Sequence, residues 1–185
     1  VTIINNIPVQ LDIDTLQKRV HIDNGAEDAV AFNVLVDRAG KTAKPKILYT
    51  ELFVEERGSD TVRIGGVTFR SNMLRANLAK VERVFPFVIT CGHEMDGVSP
   101  AKGDFLEEFW WDTIKESVLG CAIVHFNDYL KRRYRLMKIS QMSPGSGDVD
   151  VWPIRQQKEL FSLLGDVKGQ IGVELTPSCL MIPNK

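Results

Sequence analysis

Apolar residues along this chain step at helical spacing in some blocks and crowd into short β-branched runs in others. Residues 104–135 carry the strongest helical signal, with Leu106, Trp110, Ile114, Ser117, Cys121, Val124 and Asp128 spaced three or four apart on one stripe. Residues 2–13 alternate irregularly around Pro8, which predicts a short strand leading into a helix capped by Asp14. Ala29, Val30, Phe32, Val34, Leu35 and Val36 predict another helix, ending near Ala39 and Gly40. From Lys46 the texture changes. Residues 46–55 and 61–64 are rich in β-branched and aromatic side chains, and the turn at 57–60 predicts an antiparallel hairpin. Gly65 and Gly66 then turn the chain into Val67, Thr68 and Phe69. Residues 71–80 predict a short helix, and 84–92 form the most strand-like run, which begins after Pro86 or lies at a sheet edge there because proline cannot donate. Residues 92–97 read as a loop, 153–164 as an amphipathic helix, 171–175 as a final strand and 176–183 as an extended, partly apolar tail.

The pattern breaks most sharply at 141–148, where seven of eight residues are polar, Pro or Gly. Such a stretch cannot be a helix interior or a central strand. Pro144 fixes one φ while Gly145 and Gly147 allow close backbone approach, so N–H and C=O groups here can serve a polar ligand or simply connect two helices. Within the long helix, Ser117, Gly120, Cys121 and Ala122 make a narrow section that another backbone or a flat ligand can approach. Strands and helices in mixed order, with no repeat or linker, predict a single α+β domain over residues 1–185 with a largely antiparallel sheet.

Composition narrows the function more by exclusion than by pointing. With 23 Lys and Arg against 24 Asp and Glu, no overall field draws the protein to nucleic acid or to a membrane surface. No apolar run reaches the length of a membrane span, and the first residues given show no basic region followed by an apolar stretch of the signal-peptide kind. Cys91, Cys121 and Cys179 are odd in number and far apart, which suits reduced thiols in the cytoplasm.

Candidate catalytic chemistry is sparse. Cys91, Gly92, His93 and Glu94 invite a nucleophile or metal reading, yet no further ligands stand at metal spacing and nothing nearby is marked to lower a thiol pKa. His125 reads as a packed histidine of the long helix. No Gly-Lys-Ser or Gly-Lys-Thr phosphate loop occurs, and Gly65 and Gly66 lack dinucleotide-loop spacing. Trp110 and Trp111 are adjacent, so both cannot face one core, and one of the pair marks a surface contact.

Taken together, the run from Val88 to Glu94, the helix bearing Asp112, Thr113 and Ile114, the Ser143, Pro144, Gly145, Ser146, Gly147 loop, the helix opening at Gln156 and the segment from Ile171 to Pro183 resemble the reactivation domain of cobalamin-dependent methionine synthase, most of all its small stand-alone relatives in anaerobic microbes. The resemblance implies a C-shaped α+β domain with a twisted antiparallel sheet and flanking helices, docking over the cobalamin of a partner corrinoid protein or corrinoid-dependent methyltransferase and presenting S-adenosylmethionine to it. It supplies no catalytic residue and no metal ligand. By the same resemblance the binding residues are Gln141, Ser143, Pro144, Gly145, Ser146 and Gly147 of the loop, Gly120 of the long helix, and Thr176, Ser178 and Met181 of the tail. Three positions depart from the family pattern: Gln141 replaces an Arg, Ser146 a Tyr and Gly120 a Glu. A neutral amide cannot match the two-pronged charged pairing of Arg with a carboxylate, and each hydrogen bond to a charged group is worth about 1.5–3 kcal/mol. Binding then falls to backbone groups of 143–147 and 176–181. The resemblance thus implies an accessory protein of a methyltransferase system that supports cobalamin remethylation. Its alternatives are an S-adenosylmethionine-binding subunit of a split methionine synthase, and a scaffold that has lost the ligand.

Overall fold

The computed structural model describes residues 1–23, 27–100, 103–146 and 151–185. They fall into two compact units. One, here the helical unit, comprises Ile4–Ile47, Ile89–Leu136 and Lys185, and the other, the sheet unit, comprises Val1–Ile3, Leu48–Val88 and Met137–Asn184.

In the helical unit, α1 spans Ile13–Arg19 and is capped by Asp12, whose carboxylate accepts from Thr15 N at 3.0 Å. The expected cap, Asp14, instead lies in the first turn, because Asp12 is the residue held in extended backbone from which a side chain can reach back over the open N–H groups. Helix α2, Glu27–Thr42, buries Ala29, Phe32, Leu35, Val36 and Ala39 on one face. It runs past the expected stop at Gly40, whose missing Cβ would touch nothing and whose φ is ordinary for a helix.

Helix α4, Phe105–Tyr134, starts at Asp104, whose side chain accepts from Glu107 N, and ends at Arg135, which is left-handed at φ 55°. Its buried row is Trp110, Ile114, Val118, Ala122, Phe126 and Leu130, a strict step of four. The expected stripe is therefore wrong over much of its length: Leu106, Val124 and Asp128 are exposed. A mixed three-and-four pattern runs parallel to the axis, whereas rows of fourth neighbours are inclined to it, so burial winds round the helix as different neighbours cover it. Trp110 and Trp111 are both buried in one core cluster, against the expectation that one would be surface-exposed. Helix α4 packs against both α1 and α2, so two adjacent faces are covered; Trp110 meets Phe32 edge-on at 5.6 Å. The segment after Cys91, expected as a loop, is a 3₁₀ helix, His93–Val98, with Met95 fully buried.

The sheet unit holds a four-stranded antiparallel sheet. Strand β3 (Leu52–Arg57) pairs with β4 (Thr61–Ile64) about the predicted turn, β4 pairs with β5 (Val67–Arg70), and β3 also pairs with the two-residue β6 (Arg83–Val84), giving the order β5-β4-β3-β6. Val54, Val62, Ile64 and Phe69 fill one side of it. Residues 46–55 are two strands rather than one: β2, Lys46–Tyr49, ends where Thr50 N turns to donate to Pro86 O at 3.1 Å. The run 84–92 is likewise divided at Pro86 into β6 and β7, Phe87–Thr90, which join different sheets. Strand β7 sits with β2 and β1, Thr2–Ile4, in a three-stranded sheet.

Helix α3 is shorter than expected, Asn72–Asn77, and is capped by Ser71. After residue 151 a 3₁₀ turn, Ile154–Gln156, leads into α5, Gln157–Leu164, so the first turn of the expected helix is wound more tightly. Of the expected strand 171–175, Ile171 ends α6, Val167–Ile171, Gly172 turns left-handed, and Glu174–Leu175 (β8) is extended, paired antiparallel with β9, Met181–Ile182. The tail is thus a closed hairpin instead of an extended run. Asp166 explains the helix, since its carboxylate caps Gly169 N at 2.8 Å. Helices flanking antiparallel sheets make this an α+β fold, as expected.

Candidate functional site

The loop at 141–146 is held by its own polar groups. Gly145 N donates to Trp152 O at 2.8 Å, and both N and Oγ of Ser146 donate to Ser143 O, at 3.2 and 2.7 Å. Gly145 has φ 85°, and a Cβ there would stand 3.1–3.2 Å from three atoms of Ile154, so side-chain-free left-handed backbone is required at this point. Pro144 is buried, while Gln141, Ser143 and Ser146 are exposed. Met142 packs on the cluster that contains Phe69 and Trp152, and its sulfur accepts from Asn77 Nδ2 at 3.0 Å.

The tail closes on itself around Thr176. Its N donates to Leu180 O at 2.8 Å, its carbonyl accepts from Cys179 N at 2.9 Å, and its Oγ1 accepts from Leu180 N at 3.0 Å and lies 2.9 Å from Ser178 Oγ. Cys179 turns the chain with φ 64°, and its thiol donates to Arg155 O at 3.8 Å. Met181 leans on the cluster of Leu164, Val167 and Ile171.

Loop and tail are therefore seated on one short segment: Gly145 against Trp152 and Ile154, Cys179 against Arg155. That segment is rigid. Trp152 is buried edge-on to Phe69 at 5.9 Å, Ser71 Oγ donates to Val151 O, and the buried Gln156 side chain grips the Arg70 backbone, accepting from N at 2.9 Å and donating to O at 2.6 Å. Of the residues expected here, Ser143, Pro144, Gly145, Ser146, Thr176, Ser178 and Met181 lie in these two segments, and Gln141 precedes the turn. Gly147 lies outside the described residues. Sequence reasoning missed the seating role of Trp152, which lies just before the helix read over 153–164, and of Ile154, Arg155 and Gln156, which read as that helix's start. One correction concerns the backbone: the N–H of Gly145 is taken by Trp152 O and that of Ser146 by Ser143 O, so side chains and carbonyls carry more of the loop's exposed polarity than expected.

Gly120 belongs to the helical unit. A Cβ there would meet nothing within 4 Å, and with Leu11, Leu16, Val124 and His125 it lines an open groove of about 540 Å³, whereas beside it the Cys121 thiol donates to Gln10 O at 3.3 Å and Ala122 is fully buried, so a backbone does approach the narrow section next to the groove. His125 is half-buried at this groove.

The Cys91 thiol is fully buried, and that burial pushes it up to about 11, so it stays protonated and non-nucleophilic at neutral pH. Among the described residues no group of three or more His, Cys, Asp and Glu is arranged for a metal, and no helix is long and apolar enough to cross a membrane. Cys91, Cys121 and Cys179 are all free thiols.

No family model matches the chain, and no curated protein matches it. Among solved structures it is similar to the MetH reactivation domain bound to AdoHcy, with a TM-score of 0.61 over 98% of this chain and 74% of that one, at 15% identity. The chain has the fold of the MetH reactivation domain.

Proposed function

We propose that this protein is an accessory unit of a cobalamin-dependent methyltransferase system, docking on a corrinoid-bearing partner to support remethylation of its cobalamin. The observation that carries this reading is the seating of the Pro-Gly loop and the closing tail on Trp152, Ile154 and Arg155, within a fold whose solved counterpart holds AdoHcy. The tail's thiol, Cys179, is buried and turned onto Arg155 O, and the role proposed is positioning: the methyl donor and the cobalt acceptor are brought together by two proteins, and the entropy of orienting them is met by binding. A purified corrinoid protein, offered in each cobalt oxidation state, is expected to be retained on the immobilised chain in at least one of them; indifference in all of them ends the docking reading.

A second reading is favoured by the AdoHcy in the solved counterpart: the chain itself holds S-adenosylmethionine through the loop and tail. Gln141 and Ser146 offer no charge to it, so affinity in the high micromolar to millimolar range is expected. Calorimetry with AdoHcy measures this directly, and no heat at millimolar ligand would leave an accessory role without the methyl donor.

A further inference from the structure

Beside the segment on which loop and tail rest, the sheet unit has a polar cleft of about 150 Å³ lined by Asp60, Arg70, Ser71, Asn72, Arg155 and Gln156. Two arginines and one aspartate line it. Arg70 Nη1 is tied to Asp60 Oδ2 at 2.9 Å, so that carboxylate offsets one of the two charges. Arg155 is exposed and forms no ion pair among the described residues, so the described lining carries two positive charges against one negative. Both arginines are fixed at the backbone: Arg70 by the two hydrogen bonds from the buried Gln156 side chain, Arg155 by the thiol of Cys179 on its carbonyl. Ser71 is already engaged, accepting from Leu74 N and donating to Val151 O, so it stiffens the wall without serving a ligand. A planar fork on a fixed root, one charge uncancelled among the described lining residues, matches a carboxylate or phosphate better than it matches a neutral group.

We propose that this cleft is an oxyanion site for a small ligand, with Arg155 as its main anchor and Arg70 as the second. For an adenosyl amino acid, the ligand class of the function proposed above, the oxyanion is the carboxylate, and Arg155 supplies the charge that Gln141 lacks. The oxyanion preference itself stands on the two guanidiniums and does not need that reading.

Titration of the ¹⁵N-labelled full chain with inorganic phosphate, and separately with acetate, tests it through the arginine Nε–Hε signals, assigned with Arg155→Gln and Arg70→Gln. The expected result is saturable movement of both signals, with affinity about 10-fold weaker in Arg155→Gln, as loss of one charged hydrogen bond implies. Unsaturated drift, or unchanged affinity in Arg155→Gln with the thermal midpoint kept, overturns the proposal. AdoHcy and methylthioadenosine, which lacks the carboxylate, then separate the sources. Displacement of phosphate by AdoHcy alone assigns the cleft to the amino-acid carboxylate, and binding of AdoHcy that leaves phosphate in place assigns it to a phosphate-bearing ligand. Phosphate binding with no binding of either nucleoside keeps the oxyanion site and removes the adenosyl reading.

Discussion

Gly120 in the helical unit and Gly145 in the sheet unit stand in opposite circumstances. Around Gly120 the backbone is fixed by the repeating hydrogen bonds of α4, and the space above it is open. Around Gly145 there is no regular structure, and the backbone is fixed by a positive φ, by Trp152 O and by Ile154 pressed against the absent side chain. A glycine is dispensable where periodic bonds hold the chain and obligatory where a single turn does. The difference also separates two kinds of surface: an open groove that side chains can fill, and a tightly determined bend whose polar groups are placed by the fold.

The comparison breaks first at the core that holds α4 straight. Phe32→Ala removes a fully buried ring packed edge-on against Trp110 and is expected to cost about 3–5 kcal/mol in urea unfolding; a loss below about 1 kcal/mol would mean that this core does not set the helix. Cys91 gives a pH-dependent version. Its folded value, about 11, lies above its ordinary 9.0, so the unfolded chain loses the proton first and stability falls as pH rises from about 9 to 11. The loss is on the order of 2–3 kcal/mol. Cys91→Ala is expected to be less stable than the parent at pH 8 and to lose much of that deficit at pH 11, and an equal deficit at both pH values would contradict the burial of the thiol.

Gly145→Ala is expected to destabilise by about 1–3 kcal/mol, since φ 85° and the 3.1 Å approach to Ile154 act together, and to speed amide exchange at Ser146. Ser71→Ala, which removes both the α3 cap and the tie to Val151, is expected to cost about 1 kcal/mol by thermal melting. The smallest effect has the opposite sign. Gly120→Ala is expected to stabilise by about 0.5–1 kcal/mol, because the new methyl meets nothing and the helix gains propensity. If Gly120→Ala destabilised as much as Gly145→Ala, the contrast between the two glycines would be lost.

The sequence by itself determined the element types where local rules suffice. The α4 helix, the β3-β4 hairpin, the break at 141–146 and the α+β class follow from spacing, turn residues and the absence of apolar continuity. Tertiary structure decided what those rules leave free. Which side of α4 is buried depends on neighbours that cross it at an angle, so a stripe read along the axis misplaced Leu106, Val124 and Asp128 and misjudged Trp110 and Trp111. Pro86 split an apparently continuous strand because a missing N–H matters only once each half has a separate partner. Gln156 was visible only as the opening of a helix and Arg155 gave no signal, since a charge becomes part of a site only when residues distant in sequence, Asp60 and Arg70, are folded near it. Periodicity is a property of neighbours along the chain, and a binding surface is a property of neighbours in space.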